Sequence, residues 1–178
     1  MKSYFNPMLI SCAFTFMTDM QAEKETHTPI ESIVKSEAEW QQELNSEEYQ
    51  VLRKEGTERA GTSELLNEKR PGIYTCTGCN LPLFTSLTKF ESGTGWPSYH
   101  APIDSRHIGM KVDRKLWATR TEVHCSRCGG HLGHVFKDGP NPTGLRYCIN
   151  GVALDFIPMK EENIGQKEPD ITHRDILD

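Results

Sequence analysis

Long apolar segments are absent from this sequence. The most apolar stretch, Met8 to Met17, has ten residues, whereas a membrane-spanning helix needs about 20. Only 36% of the 178 residues are hydrophobic and the mean hydropathy is −0.58, which excludes a polytopic membrane protein. The same low fraction indicates that part of the chain packs no core. We therefore expect one domain with loose ends.

Basic residues do not outnumber acidic residues in this sequence. The net charge is −5 and the isoelectric point is about 5.8, so a general nucleic-acid binder is excluded and no nucleic-acid partner is expected. The acidic residues are concentrated in residues 19–69 and 160–178, whereas residues 70–159 carry 10 basic and 6 acidic residues. The central region is therefore mildly basic.

The two ends of the sequence are expected to lie outside the domain. Residues 1–35 resemble a leader or disordered linker, residues 36–160 a domain and residues 161–178 a flexible acidic tail. Leu9-Ile10-Ser11-Cys12 is similar to a bacterial lipoprotein cleavage box, in which Cys12 would carry the only membrane anchor. An uncleaved disordered end is the alternative. The compartment stays open between the cytoplasm and, if residues 1–22 are a signal or lipoprotein leader, the periplasm or membrane surface.

Helical signals give way to strand signals along the domain. Ser36 and Asn45, each followed three residues later by glutamate, predict the capped starts of two short helices. From Gly72 onward, short apolar runs alternate with Gly, Pro, Asn and Asp. These runs predict strands at 72–75, 81–84, 116–123 and 147–149.

The six cysteines are too sparse for a disulfide scaffold. Four of them form two Cys-x-x-Cys pairs, Cys76/Cys79 and Cys125/Cys128, with glycines at the turns. Two such turns facing one another make a tetrahedral site that suits one structural zinc ion. Two disulfides, or a thioredoxin-like redox pair, are the alternatives, although no helical pattern follows either pair.

The isolated Cys148 lies in a short run that predicts a strand. Alternation would place Arg146, Cys148 and Asn150 on one face, where the guanidinium would favour the reactive thiolate. A lone cysteine is more commonly a small core residue, so the local pattern leaves both interpretations open.

Other side chains suited to a site lie upstream of Cys148. His131 and His134 would converge from a turn or a short strand end. They could hold a second metal, as in a zinc hydrolase, or donate protons near a substrate oxygen. Trp96, fixed by the proline that follows it, could form an aromatic wall or pack in the core.

Taken together, these motifs resemble the B-type peptide-methionine (R)-S-oxide reductases. The resemblance covers residues 36–160 and rests on Cys76-x-x-Cys79, Gly95-Trp96-Pro97-Ser98, the run from Cys125 to Phe136, and Arg146-Tyr147-Cys148-Ile149-Asn150. It implies a mainly β fold of two antiparallel sheets with small N-terminal helices and a structural zinc held by four cysteines. It also implies reduction of methionine-R-sulfoxide, free or in proteins, as repair of oxidative damage.

The resemblance assigns a role to each site residue. Cys148 is the nucleophile that becomes a sulfenic acid, and Arg146 supports its thiolate. His131, His134 and Asn150 surround the sulfoxide oxygen, while Asp138 orients the polar network. Trp96 contacts the substrate methyl group, and Phe136 also lies at the substrate site.

One position departs from the family pattern. Many members carry a resolving cysteine two residues before the tryptophan, where this sequence has Thr94. Only Cys12 is spare, so we expect thioredoxin or another external thiol to reduce Cys148 directly. A zinc-stabilised binding module without catalysis is the alternative function, and a monomer is the expected state.

Overall fold

The computed structural model describes residues 29–114 and 119–160. The expected lipoprotein box with Cys12 and the acidic tail lie outside the described residues. Two short helices come first, α1 (Glu37–Glu43) and α2 (Ser46–Leu52). Both begin with the predicted capping boxes, since Ser36 and Asn45 each accept a backbone N–H from the third helical residue. Such a cap contributes about 1 kcal/mol. No helix in the described ranges is long and apolar enough to cross a membrane.

The described residues form nine strands in two antiparallel sheets, which confirms the predicted mainly β fold. The strands are β1 (Gly72–Cys76), β2 (Pro82–Thr85), β3 (Lys89–Phe90), β4 (Ser98–Tyr99), β5 (Ile108–Asp113), β6 (Arg120–Cys125), β7 (His131–Phe136), β8 (Arg146–Ile149) and β9 (Leu154–Pro158). The smaller sheet has the order β2-β1-β9, and the larger has the order β3-β4-β8-β7-β6-β5. Three short 3-10 segments, at Glu64–Asn67, Ser105–His107 and Gly151–Ala153, lie between these elements.

An aromatic cluster joins the two sheets. Tyr74 of β1 and Phe84 of β2 pack on Tyr99 of β4, with ring centroids 5.1 and 4.3 Å apart. All three rings are fully buried. Burial of a large apolar side chain contributes about 1.5–3 kcal/mol, so this cluster is a main reason that the sheets stay together. The helices add Trp40 and Leu52 to the same core.

Strand pairing in the larger sheet places chemically useful residues in one row. Cys148 on β8 pairs with Ser98 on β4 and with His134 on β7. His134 in turn pairs with Glu122 on β6, which pairs with Lys111 on β5. Directly paired residues project from the same face of a sheet. The row therefore places Cys148 on one face of the sheet together with Ser98, His134, Glu122 and Lys111.

The predicted strands at 72–75, 81–84 and 147–149 are confirmed within β1, β2 and β8. The run at 116–123 coincides with β6 from Arg120 onward, and residues 115–118 are not described. Strands β5, β7 and β9 were not predicted as full strands. The segment before α1 touches the domain, because the Ile33 N–H donates to Arg127 O at 2.7 Å.

Candidate active site and metal centre

The four paired cysteines converge on one point. Their sulfur atoms all lie within 4.8 Å of one another, with Cys76 Sγ 3.7 Å from Cys128 Sγ and Cys79 Sγ 3.5 Å from Cys125 Sγ. Sulfurs at the corners of a tetrahedron with metal–sulfur bonds of about 2.3 Å are roughly 3.8 Å apart. A disulfide bond is about 2.05 Å long, so the alternative of two disulfides does not match these distances.

Tight turns bring the sulfurs together. The Asn80 N–H donates to Cys76 O in the first turn, and the Gly129 N–H donates to Cys125 O in the second. Gly129 has a φ of 70°, which favours glycine. The first turn ends β1 of the smaller sheet and the second joins β6 to β7 of the larger sheet. The donor set therefore fits a metal that links the two sheets.

Cys148 lies outside this cluster, half-buried on β8. Its strand neighbours Tyr147 and Ile149 are buried in the core, whereas Arg146 and Cys148 are only partly buried. This alternation agrees with the predicted strand. A β-carbon added at Gly133 on β7 would lie 2.1 Å from Cys148 O, so a glycine there is needed for β7 and β8 to approach closely.

Burial and two neighbours act in opposite directions on the Cys148 thiol. Burial raises its pKa, whereas the Thr94 hydroxyl and the Arg146 guanidinium lower it. The net result is a pKa above the ordinary value, because the effect of burial exceeds the effects of both neighbours. At neutral pH the resting side chain is therefore mainly the thiol.

Thr94 lies directly beside the sulfur, with Oγ1 3.8 Å from Cys148 Sγ. Its hydroxyl is also 2.9 Å from Ser92 Oγ, which accepts a hydrogen bond from Ser98 Oγ at 2.7 Å. Position 94, where the resemblance led us to expect a resolving cysteine, is thus adjacent to Cys148 in this fold, and a hydroxyl occupies it.

Arg146 is held by two groups, Asp138 and Phe136. Its Nε and one terminal nitrogen donate to the two oxygens of Asp138, each at 2.9 Å. Its guanidinium carbon lies 4.4 Å from the centre of the Phe136 ring. Because the Arg146 guanidinium is fixed by both contacts, Asp138 and Phe136 orient this cation beside the Cys148 thiol.

The two histidines meet at their rings, 5.5 Å apart between centroids. His134 Nε2 donates to Asp113 Oδ2 at 2.8 Å. His131 Nδ1 lies 3.1 Å from Glu122 Oε1, but without hydrogen-bond alignment, and neither ring nitrogen of His131 has a partner in the described residues. Burial lowers the pKa of His134, against an opposing contribution from Asp113.

Sequence reasoning missed both carboxylates, Asp113 and Glu122. Each is buried, and each also contacts a cation: Arg120 lies 2.7 Å from Asp113, and Lys111 lies 3.2 Å from Glu122. For Glu122, its position inside the strand predicted at 116–123 was the signal, whereas Asp113 lies on β5, which was not predicted. Among the described residues, the four cysteines are the only group of three or more side chains suited to hold a metal.

Trp96 lies half-buried in the loop before β4. Its Nε1 donates to Glu58 O at 3.2 Å, and the following residue, Pro97, accepts the Ile149 N–H at 3.0 Å. The loop turns at Gly95, where φ is 91° and an added β-carbon would lie 2.9 Å from Ala60. These contacts attach the tryptophan loop to the end of β8, next to Cys148.

Asn150 differs from its expected place as a donor beside Cys148. Strand β8 ends at Ile149, and the buried Asn150 amide is bonded to backbone at both ends. It accepts the Glu58 N–H at 3.0 Å and donates to Leu132 O at 2.9 Å. Asn150 thus ties the end of β8 to β7 and to the segment that anchors Trp96.

Comparison with known proteins identifies the family of this chain. A model of the SelR domain matches residues 44–158. The peptide methionine sulfoxide reductase MsrB of Methanosarcina barkeri is 52% identical over 136 residues, which cover 76% of this chain and 96% of that protein. The Pseudomonas putida protein of the same name is 54% identical over 129 residues, which cover 72% and 97%. The chain therefore belongs to the SelR family, that of the MsrB peptide methionine sulfoxide reductases.

Proposed function

We propose that this protein reduces the R epimer of methionine sulfoxide to methionine, with Cys148 as the nucleophile. The substrate is free or protein-bound, so the activity would repair oxidised proteins. The observation that carries the proposal is the position of Cys148. It is half-buried on a polar sheet face with Arg146 and His134, beside the Trp96 loop, in a chain of the SelR family.

The reaction transfers one oxygen and two electrons. Cys148 loses its proton, and the thiolate attacks the sulfoxide sulfur while a proton reaches the sulfoxide oxygen. The attack forms a bond between the two sulfurs, and this bond and the sulfur–oxygen bond of the substrate then break as the hydroxyl moves to the Cys148 sulfur. The products are methionine and a cysteine sulfenic acid, so the substrate sulfur is reduced by two electrons and Cys148 is oxidised by two.

The neighbours of Cys148 suit this chemistry. Arg146 lowers the pKa of the thiol and stabilises the thiolate once the proton has left. His131 and His134 are the groups that would surround the sulfoxide oxygen and supply its proton. Trp96 would contact the methyl group. In the S epimer, the oxygen and the methyl group would exchange places. The oxygen would then lose the histidines and the methyl group would lose Trp96, which accounts for selectivity between the epimers.

Asn150, Asp138 and Phe136 take supporting roles in this proposal. Asn150 positions the end of β8 through Leu132 O, instead of donating to the substrate. Asp138 and Phe136 hold the Arg146 guanidinium. The Phe136 ring is also 6.5 Å from the His134 ring, so it neighbours both the cation and this histidine.

The cysteine cluster would hold one zinc ion through Cys76, Cys79, Cys125 and Cys128. A closed site of four thiolates leaves no position for substrate, so the metal would stabilise the fold without entering the reaction. Its place at the junction of the two sheets supports this role.

We further propose a one-cysteine cycle in which thioredoxin or another external thiol reduces the Cys148 sulfenic acid. Thr94 occupies the neighbouring position and cannot form a disulfide. Dimedone should therefore label Cys148 after a single turnover without reductant, as read by peptide mass spectrometry. A disulfide between Cys12 and Cys148 in the same sample would contradict the one-cysteine cycle.

Turnover of separated epimers tests the activity. The wild type and Cys148→Ser are each given R and S epimers of a blocked methionine sulfoxide with dithiothreitol, and methionine is quantified. We expect R-selective turnover by the wild type alone, with Cys148→Ser folded and metal-loaded. A folded wild type that reduces neither epimer would favour a zinc-stabilised binding module.

A further inference from the structure

Two buried carboxylates on β5 and β6 face the histidines of the site. Asp113 contacts His134, and Glu122 lies against His131. Each carboxylate is in turn contacted by a cation from the neighbouring strand, Arg120 for Asp113 and Lys111 for Glu122. Isolated carboxylates are rarely buried. The same order of cation, carboxylate and imidazole occurs twice, and this repetition suggests a role in the site in addition to packing.

The Asp113 contact determines which nitrogen of His134 carries a proton. An ionised carboxylate only accepts hydrogen bonds, and Asp113 stays close to the Arg120 guanidinium at 2.7 Å. His134 Nε2 must therefore be the donor across the 2.8 Å contact. In the neutral ring, Nδ1 then has no proton and can only accept.

His134 lies beside Cys148, so the choice of ring nitrogen that carries the proton bears on the reaction. Its backbone pairs directly with Cys148 on the adjacent strand, and paired residues have β-carbons about 5 Å apart. The ring is neutral in the resting state, since burial outweighs the effect of Asp113 on its pKa. A neutral ring whose Nδ1 carries no proton can accept one at that atom, directly or through water.

We propose that Asp113 is a positioning residue that holds His134 as the Nε2–H tautomer, so that Nδ1 is the atom that exchanges protons at the active site. In the reaction, Nδ1 takes the Cys148 thiol proton and later gives it to the sulfoxide oxygen. The proton count then closes, because thiol and sulfoxide become sulfenic acid and thioether with no proton gained or lost. Asp113 keeps its charge throughout and stabilises the intervening imidazolium. This proposal rests on the proposed reductase function.

The tautomer can be read directly by ¹⁵N nuclear magnetic resonance of the histidine rings in the folded protein. The His134 signal is assigned by its loss in His134→Gln. We expect a protonated Nε2 and an unprotonated Nδ1 in the wild type at neutral pH. In Asp113→Asn, whose amide can also donate, we expect a mixture of tautomers or the Nδ1–H form. A wild-type His134 with the proton on Nδ1 would overturn the proposal, even if Asp113→Asn does not fold.

Kinetics provide the second readout. Asp113→Asn should lower kcat by about 100-fold, the size of a general acid–base contribution, with KM little changed, and Asp113→Glu should restore part of the loss. The matched control is Asp104→Asn, which removes a partly exposed carboxylate from Arg106 at the start of a 3-10 segment and should behave as wild type. A folded Asp113→Asn protein with wild-type kcat and tautomer would refute the proposal. A wild type without R-epimer turnover would instead contradict the proposed function, and the spectra would still decide the tautomer.

Discussion

The hydroxyl of Thr94 lies 3.8 Å from the sulfur of Cys148. This contact brings residue 94 next to the proposed nucleophile, with a hydroxyl that can donate a hydrogen bond but cannot form a disulfide. In the proposed cycle, this single difference in the sequence leaves the Cys148 sulfenic acid to an external thiol.

Thr94→Cys should convert the one-cysteine cycle into a disulfide cycle. A sulfur at position 94 would approach Cys148 closely enough for a disulfide after small side-chain rotation. After one turnover without reductant, intact mass and thiol titration should show a disulfide between the introduced thiol and Cys148, and no dimedone adduct. Thr94→Ser is the control and should keep the sulfenic acid. A stable sulfenic acid in Thr94→Cys would show that the two side chains do not meet in solution.

Arg146→Gln should slow alkylation of Cys148 at neutral pH. The guanidinium lowers the pKa of the thiol, so its removal raises that pKa and reduces the thiolate fraction, about tenfold for each unit. In the wild type, burial already sets the pKa above its ordinary value, so the alkylation rate should still be rising at about pH 9. Asp138→Asn leaves the guanidinium in place and should shift the profile less. A pH–rate profile of iodoacetamide modification that is identical in Arg146→Gln and wild type would contradict this account.

Cys79→Ser should lose the metal and much of the stability. Three thiolates would bind the proposed zinc more weakly, and in this account the ion stabilises the junction between the sheets. A loss of about 5 kcal/mol would lower Tm by roughly 10–20 °C for a chain of this size. Elemental analysis and thermal unfolding measure both effects, and Cys148→Ser should retain one zinc per chain. A Cys79→Ser protein that unfolds at the wild-type temperature in chelator would rule out the structural role.

Glu58→Gln should change how stability depends on pH. The Glu58 carboxylate is buried and accepts the Gly151 and Val152 N–H groups, and burial raises its pKa above the ordinary value of 4.5. The folded state therefore binds the proton more tightly, and this contribution to stability is lost as pH rises through the folded pKa. The difference in unfolding free energy, wild type minus Glu58→Gln, should decrease as pH rises above 4.5. Urea titrations from about pH 4 to 7 measure it, and a difference that does not vary with pH would contradict the raised pKa.

Local patterns predicted the parts of the site that depend on neighbouring residues. The Cys-x-x-Cys turns follow from spacing and glycine, and the strand at Cys148 follows from alternation with Tyr147 and Ile149. The helix starts at Ser36 and Asn45 follow from side chains that cap the backbone within three residues. Each of these features is determined within a few positions of the chain.

Features that depend on strand pairing could not be predicted in this way. Asp113 reaches His134 across 21 positions of sequence, because β6 lies between β5 and β7 in the sheet. Asn150 was placed by continuing the alternation of β8, but the strand ends one residue earlier, and the amide turns to Glu58, 92 positions away. No pattern of neighbouring residues predicts that Asp113 contacts His134 or that Asn150 contacts Glu58.

The most direct test of the central claim is a single turnover without reductant. Equal amounts of protein and blocked methionine sulfoxide are mixed for each epimer, and methionine and the oxidised residue are quantified together. The account predicts one methionine per chain from the R epimer, none from the S epimer, and the oxygen on Cys148 as a dimedone-reactive sulfenic acid. Methionine formed without oxidation of Cys148, or equal yields from the two epimers, would contradict it.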